Sequence, residues 1–151
     1  MTSLSDTELI QRLLLAAALG AVIGLEREWR NKDAGLRTNI LITIGSALFT
    51  LMSIEITDAT TGDTSRIAAQ IVTGVGFLGA GAILRTDAGI QGLTTAATIW
   101  VNAALGVAVG GGEYQLAVIG TAVTLVVLLV LHPIEKYIDR KRPDGERPRG
   151  D

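Results

Sequence analysis

LAVIGTAVTLVVLLVL, residues Leu116–Leu131, is apolar on every side apart from Thr121 and Thr124. A helix on the surface of a soluble protein shows a polar stripe every turn, and this stretch has none. A membrane-spanning helix needs roughly 20 mostly apolar residues, with a range of about 17–25. Outward from this stretch, five runs of that length divide the chain: Leu9–Leu25, Thr38–Ile56, Ile67–Leu84, Leu93–Val109 and Tyr114–Leu131. From Thr38 to Ile134 the charged residues are Glu55, Asp58, Asp63, Arg66, Arg85, Asp87 and Glu113, all at or beyond the ends of the runs. Lipid offers the backbone no water, so each run must be a helix. The expected fold is all-α: a polytopic membrane protein, a bundle of five transmembrane helices spread over residues 1–135.

Composition agrees. The 151 residues suffice for one domain, and a mean hydropathy of +0.43 exceeds that of a small soluble domain. The net charge of −2 is too small to point to any class of partner, and no nucleic-acid binding is expected. The chain has no cysteine, which excludes disulfides, thiolate metal sites and a cysteine nucleophile. The first run is not expected to be a cleaved signal peptide. Its N-terminal flank carries Asp6 and Glu8 rather than a basic region, and the small residues Ala16–Ala18 fall mid-run.

Basic residues set the expected orientation. Arg27, Arg30, Lys32, Arg37, Arg85 and the tail residues Lys136, Arg140, Lys141, Arg142, Arg147 and Arg149 fall on one side of a five-span bundle; Arg12 and Arg66 fall on the other. Short positive loops stay in the cytoplasm, so the N-terminus is expected outside and the C-terminus inside. The polar loop Thr57–Arg66 then faces outward, and Gly110–Glu113 makes spans four and five a tight hairpin. Trp29, Tyr114 and Tyr137 flank spans as interfacial aromatics do; Trp100 lies inside span four, packed in the bundle or against lipid. After His132-Pro133, IEKYIDRKR reads as a short amphipathic extension. The whole basic stretch 136–151 is expected as a disordered cytoplasmic tail.

Small residues are frequent. Gly20 and Gly24 form a G-x-x-x-G in span one, and Gly106 and Gly110 form another closing span four; this spacing lets helices approach closely in lipid. Span three carries Gly74, Gly76, Gly79 and Gly81 among alanines, and is expected as the central helix, contacted on several sides. Close packing alone explains these glycines; a cavity lined by exposed carbonyls, or a flexible helix, is the functional reading. Gly74-x-Gly76-x-x-Gly79 matches a dinucleotide-binding fingerprint, but that motif opens a helix after a strand in a soluble unit, so the match is discounted.

Two polar groupings stand out. In span four Gln91, Thr95, Thr98 and Asn102 are spaced along one helix face, with Gln70 and Thr73 of span three placed to face them. Buried polar groups in lipid need partners; the readings are interhelical hydrogen bonding, or a polar cavity admitting water, an ion or a proton. At the cytoplasmic end, Thr38 and Thr94 are read as helix N-caps, with Arg37 and Arg85 beside them. Glu26, Arg27, Glu28 and Arg30 close span one, and Glu26 is placed to pair with Arg37 or Arg85. Charge balance and headgroup anchoring explain this cluster; a pocket for an anionic ligand or an acidic partner segment is the functional reading. His132, alone at the end of span five, reads as a dipole-compensating or solvated group.

GAVIGLEREWR, AGLRTNILITIGSALFTL, SRIAAQIVTGVGFLGAGAIL and GLTTAATIWVNAALGVAVGGG together resemble the membrane domain of the MgtC/SapB family, from about Leu13 to Gly112 and more loosely through span five. The resemblance implies a bacterial inner-membrane protein linked to growth at low magnesium, and in pathogens to survival inside host cells. It implies a regulator acting on other membrane proteins, the ATP synthase among them, although members are often labelled magnesium transporters. The motif positions are Glu26, Arg27, Arg37, Thr38, Gln70, Gly76, Gly79, Gly81, Gly92, Thr95 and Asn102. Virulence-type members add a C-terminal soluble regulatory domain; this chain ends about 40 residues after Gly112, so the membrane domain is expected to act alone or with a separate partner.

Three classes of function follow. A membrane regulator needs only close-packing surfaces. A transporter of magnesium or another ion needs oxygen ligands, usually including carboxylates. No carboxylate lies mid-membrane, so a path would use Gln70, Thr73, Thr95, Asn102 and backbone carbonyls. An enzyme is not expected: Ser46 and Ser53 have no base nearby in sequence. No cofactor is expected, and magnesium enters only as a ligand or cargo. A homodimer is expected through an outward small-residue face of span one, Gly20 and Gly24.

Overall fold

The computed structural model describes residues 4–56, 63, 65–86 and 89–141. The element order is α1 (Asp6–Trp29), α2 (Leu36–Ile56), α3 (Ser65–Gly81), β1 (Leu84–Thr86), β2 (Gly89–Gln91), α4 (Leu93–Gly110) and α5 (Tyr114–Lys141). Most of the expected outer loop, Asp87, the His132 side chain and residues 142–151 lie outside the described part. Helices α1, α2, α4 and the Tyr114–Leu131 portion of α5 are long and apolar enough to cross a membrane. The backbone of α5 runs on through Pro133 as one helix to Lys141.

Local chemistry sets the boundaries. Ser5 caps α1, accepting from the Glu8 backbone N–H at 3.3 Å, with Asp6 and Glu8 in the first turn. The helix stops where Asn31 turns left-handed at φ 53°, with the Lys32 N–H reaching the Arg27 carbonyl and the Asn31 N–H that of Glu28. The same closure ends α4: Gly112 takes φ 87°, and the Glu113 N–H bonds the Ala108 carbonyl.

Span three departs from expectation. The run Ile67–Leu84 was read as one helix, but α3 ends at Gly81 and its apolar part, Ala69–Gly81, is short of a full span. At 1.5 Å per residue its 17 residues reach about 25 Å, against about 30 Å of hydrocarbon. Leu84 instead enters a small antiparallel hairpin, Leu84 opposite Gln91 and Arg85 opposite Ile90, so the third helix is shorter than its apolar run while the fold stays all-helical apart from these two short strands among the described residues. Helix-poor glycines end α3, and the β-branched residues at Thr86 and Ile90 favour the extended form.

The centre of the bundle is α2, not α3. Neighbouring glycines define its two faces: an added Cβ at Gly24 of α1 would lie 2.8 Å from the Leu36 Cα, and one at Gly110 of α4 2.7 Å from the Thr50 Cβ. Antiparallel α1 and parallel α4 thus grip α2 from two sides. Ala16, Ala47, Val109 and Ala117 join α1, α2, α4 and α5 at one level, and Ile23, Leu105 and Leu128 continue that core. Against α4, α3 lays only a narrow stripe, Ile71 and Val75 on Ile99 and Ala103, with Gly79 on Ala96. Gly74, Gly76 and Gly81 face open space. The reason is register: every fourth residue of α3 meets the bundle, and those three glycines fall between.

Candidate functional site

A polar seam runs between α2 and α4. Asn39, Thr43, Ser46, Thr50 and Ser53 recur every three or four residues on α2 and are all buried. Thr95, Thr98 and Asn102 of α4 are buried opposite. Asn39 and Asn102 are both 0% exposed. The Asn102 Nδ2 donates to the Asn39 Oδ1 at 2.8 Å and to the Thr98 carbonyl at 2.9 Å. The Asn39 Nδ2 donates to the carbonyls of Ala34 and Gly35 at 2.6 and 2.7 Å, tying down the loop before α2. Thr43, Thr50 and Thr98 donate back to carbonyls four residues earlier, of Asn39, Ser46 and Thr94. The seam is thus held by its own hydrogen bonds, except that the Asn102 Oδ1 is buried without a partner.

The structure relocates several expected residues. Thr95, Thr98 and Asn102 share a face as read, but their partner is Asn39 of α2, a residue the sequence reading passed over. Gln91 sits in β2, outside the α4 stripe. Gln70 and Thr73 are exposed on α3, and Thr73 bonds only its own Ala69 carbonyl, at 3.4 Å. The signal for Asn39 was present: the four-three spacing along LRTNILITIGSALFTLMSIEI is that of one helix face.

The caps also differ from expectation. Thr38 lies in the first turn of α2 behind Leu36, whose N–H is taken by the Glu28 carboxylate at 3.0 Å. Thr94 follows Leu93, and Gly92 occupies the cap position of α4 with no side-chain bond. Gly92 adopts φ 85°, and a Cβ there would overlap the Ala82 carbonyl, so only glycine joins the hairpin to α4.

Glu26 pairs with neither Arg37 nor Arg85. It is buried and meets Arg30 at 2.5 Å and the adjacent Arg27 at 3.6 Å, because Arg30, one turn away on α1, reaches it first. Arg27 is 3% exposed, with its Nε and one terminal nitrogen unpartnered. Arg37 and Arg85 are exposed. At the other end of the bundle, Arg12 is buried: it donates to the Gly110 carbonyl at 2.6 Å, pairs with Glu8, and lies over the Tyr114 ring. A cation on the terminal carbonyls of α4 satisfies that helix end, and ties α1 to the α4–α5 turn.

Gly20 and Gly24 do not face outward. Both are buried against α2, so the motive for a dimer through span one fails. The open side lies elsewhere. Between α2 and α3 runs a groove of about 1030 Å³, lined chiefly by apolar residues, among them Leu41, Gly45, Phe49, Gly74, Leu78 and Ala82. Among the described residues no three His, Cys, Asp or Glu side chains are grouped to hold a metal ion.

The profile of the MgtC family matches residues 13–137. The chain is 52% identical over 133 residues to "Putative magnesium transporter YhiD" of Escherichia coli K12, covering 84% of this chain and 62% of that protein. It is 45% identical over 131 residues to "Protein MgtC" of Salmonella typhimurium LT2, covering 87% and 55%. It is 44% identical over 136 residues to "Uncharacterized protein slr0014" of Synechocystis, covering 89% and 56%. The chain thus spans about three-fifths of the length of these curated relatives. No solved structure matches it significantly. With several long apolar helices and a family profile running across nearly all of them, this multi-pass membrane protein belongs to the MgtC family.

Proposed function

We propose that this chain is a regulator of other membrane proteins, acting in growth under magnesium limitation, rather than a conduit for ions. The observation that carries the reading is the state of the polar interior. Asn39 and Asn102 are fully buried and bonded to each other and to backbone carbonyls. Side chains used in this way are interhelical glue. Magnesium demands near-octahedral oxygen ligands and sheds water reluctantly, and the described carboxylates lie at helix ends or in loops. In this reading all five helices cross the bacterial inner membrane, the N-terminus is outside, and the Arg37 end of the bundle faces the cytoplasm. The ATP synthase is the first partner to test.

The second reading is ion transport. The printed name of the Escherichia coli relative and the unpaired, buried Asn102 Oδ1 favour it. Purified chain in liposomes loaded with a magnesium-sensitive dye separates the two. The regulator reading expects no magnesium entry above that of empty liposomes. Entry lost on Asn102→Leu would replace it with transport.

A further inference from the structure

We propose that the groove between α2 and α3 seats one anionic phospholipid, with its acyl chains along the groove and its phosphate beside Arg37 and Thr38. The groove is lined chiefly by apolar residues, with Ser46, Gln70 and Thr95 also on its wall, and its lining residues Leu41, Phe49 and Leu78 are exposed. Ordered water needs several polar partners, and most of this lining offers none. In a bilayer the groove fills with hydrocarbon.

Length selects the kind of hydrocarbon. The lining runs along α2 from Thr38, at the helix end, to Phe49. At 1.5 Å per residue that is about 16 Å, or roughly one leaflet of a core about 30 Å thick. A partner's transmembrane helix would ask for a groove along the whole bundle; a lipid of one leaflet asks for this one.

Charge selects the headgroup. Asp33 and Thr38 line the open end, Lys32 and Arg37 adjoin them, and Arg85 stands in the hairpin that follows Ala82. Arg37 and Arg85 are exposed and form no ion pair among the described residues. Guanidinium groups hold phosphate oxygens well, and the carboxylates nearby, Asp33 on the lining and Glu28 on the Leu36 N–H, pair with neither arginine among the described residues. A second copy is the poorer occupant. Two chains in one membrane share an orientation, so pairing through α3 would set the same arginines at one level, with like charges facing.

This proposal is independent of whether the chain regulates or transports. Native mass spectrometry of the full chain in detergent, titrated with dioleoyl phosphatidylglycerol and separately with dioleoyl phosphatidylcholine, tests it. One phosphatidylglycerol per chain is expected, bound more tightly than phosphatidylcholine. Gly45→Leu with Gly74→Leu fills the groove where an added Cβ meets nothing within 4 Å, and should weaken binding about tenfold. Arg37→Gln, at an exposed position, should abolish the preference for phosphatidylglycerol and tests the site even if the double variant misfolds. Val123→Phe on the exposed face of α5 should change neither. Wild-type binding by the groove-filled variant with unchanged melting would overturn the proposal. So would a wild-type dimer that the same substitutions dissociate, or an Arg37→Gln chain that keeps its preference.

Discussion

Two glycine-rich regions of this bundle do opposite things. Gly20, Gly24, Gly106 and Gly110 lie where α1 and α4 meet α2, and each is in contact with the facing backbone or a short side chain. Gly45, Gly74, Gly76 and Gly81, on α2 and α3, have nothing within 4 Å of an added Cβ. The first set lets three helices close around a polar seam; the second faces open space, and Gly45, Gly74 and Gly81 of it line the groove. A glycine in a membrane helix therefore reports a close approach only when the facing helix is known. The seam follows from the same contrast: side chains as short as Ser46 and Thr50 fit only where the helices are already close.

Substitutions at the two sets should separate them. The largest effect is expected for Gly106→Leu, whose Cβ would lie 2.7 Å from the Ser46 Cβ; overpacking there should destabilise the chain by roughly 3 kcal/mol in a detergent unfolding titration. Gly92→Ala, forced into a left-handed conformation against the Ala82 carbonyl, should lose about 2 kcal/mol by the same measurement. Asn102→Leu should lose about 1–2 kcal/mol, the range for interhelical hydrogen bonds in lipid. The Asn39→Leu, Asn102→Leu double variant should lose less than the sum of the single ones, since the pair acts as one unit. Gly76→Leu should stay within about 0.5 kcal/mol of the parent. A Gly76→Leu loss as large as that of Gly106→Leu would erase the distinction between the two regions.

Much of this arrangement was legible in the chain. The apolar runs mark α1, α2, α4 and the start of α5 to within a few residues, because lipid leaves the backbone no other choice, while α5 runs on past Leu131 to Lys141. Thr95, Thr98 and Asn102 announce a buried face by their spacing alone. What stayed hidden depends on neighbours. Periodicity says that Asn102 is buried, but not that Asn39 meets it, since Gln70 and Thr73 are equally polar and stand on an adjacent element. Composition says that α3 is rich in glycine, but not that Ile71, Val75 and Gly79 form its stripe against α4. Glu26 looked free to reach Arg37, and Arg30, one turn away on its own helix, takes it first. The hairpin was masked because Ile83 and Leu84 continue the hydropathy of α3 while leaving its helix.

The absence of cysteine makes one measurement unusually direct. Thr98→Cys and Asn102→Cys, reconstituted singly in liposomes and exposed to a water-soluble maleimide from each side, report whether water reaches the seam. Asp33→Cys, on an exposed loop, serves as the labelled control. The closed seam predicts labelling at position 33 and none at 98 or 102 from either side. Labelling at 102 would mean a water-filled path through the bundle, and would contradict the account of a polar interior that only holds helices together.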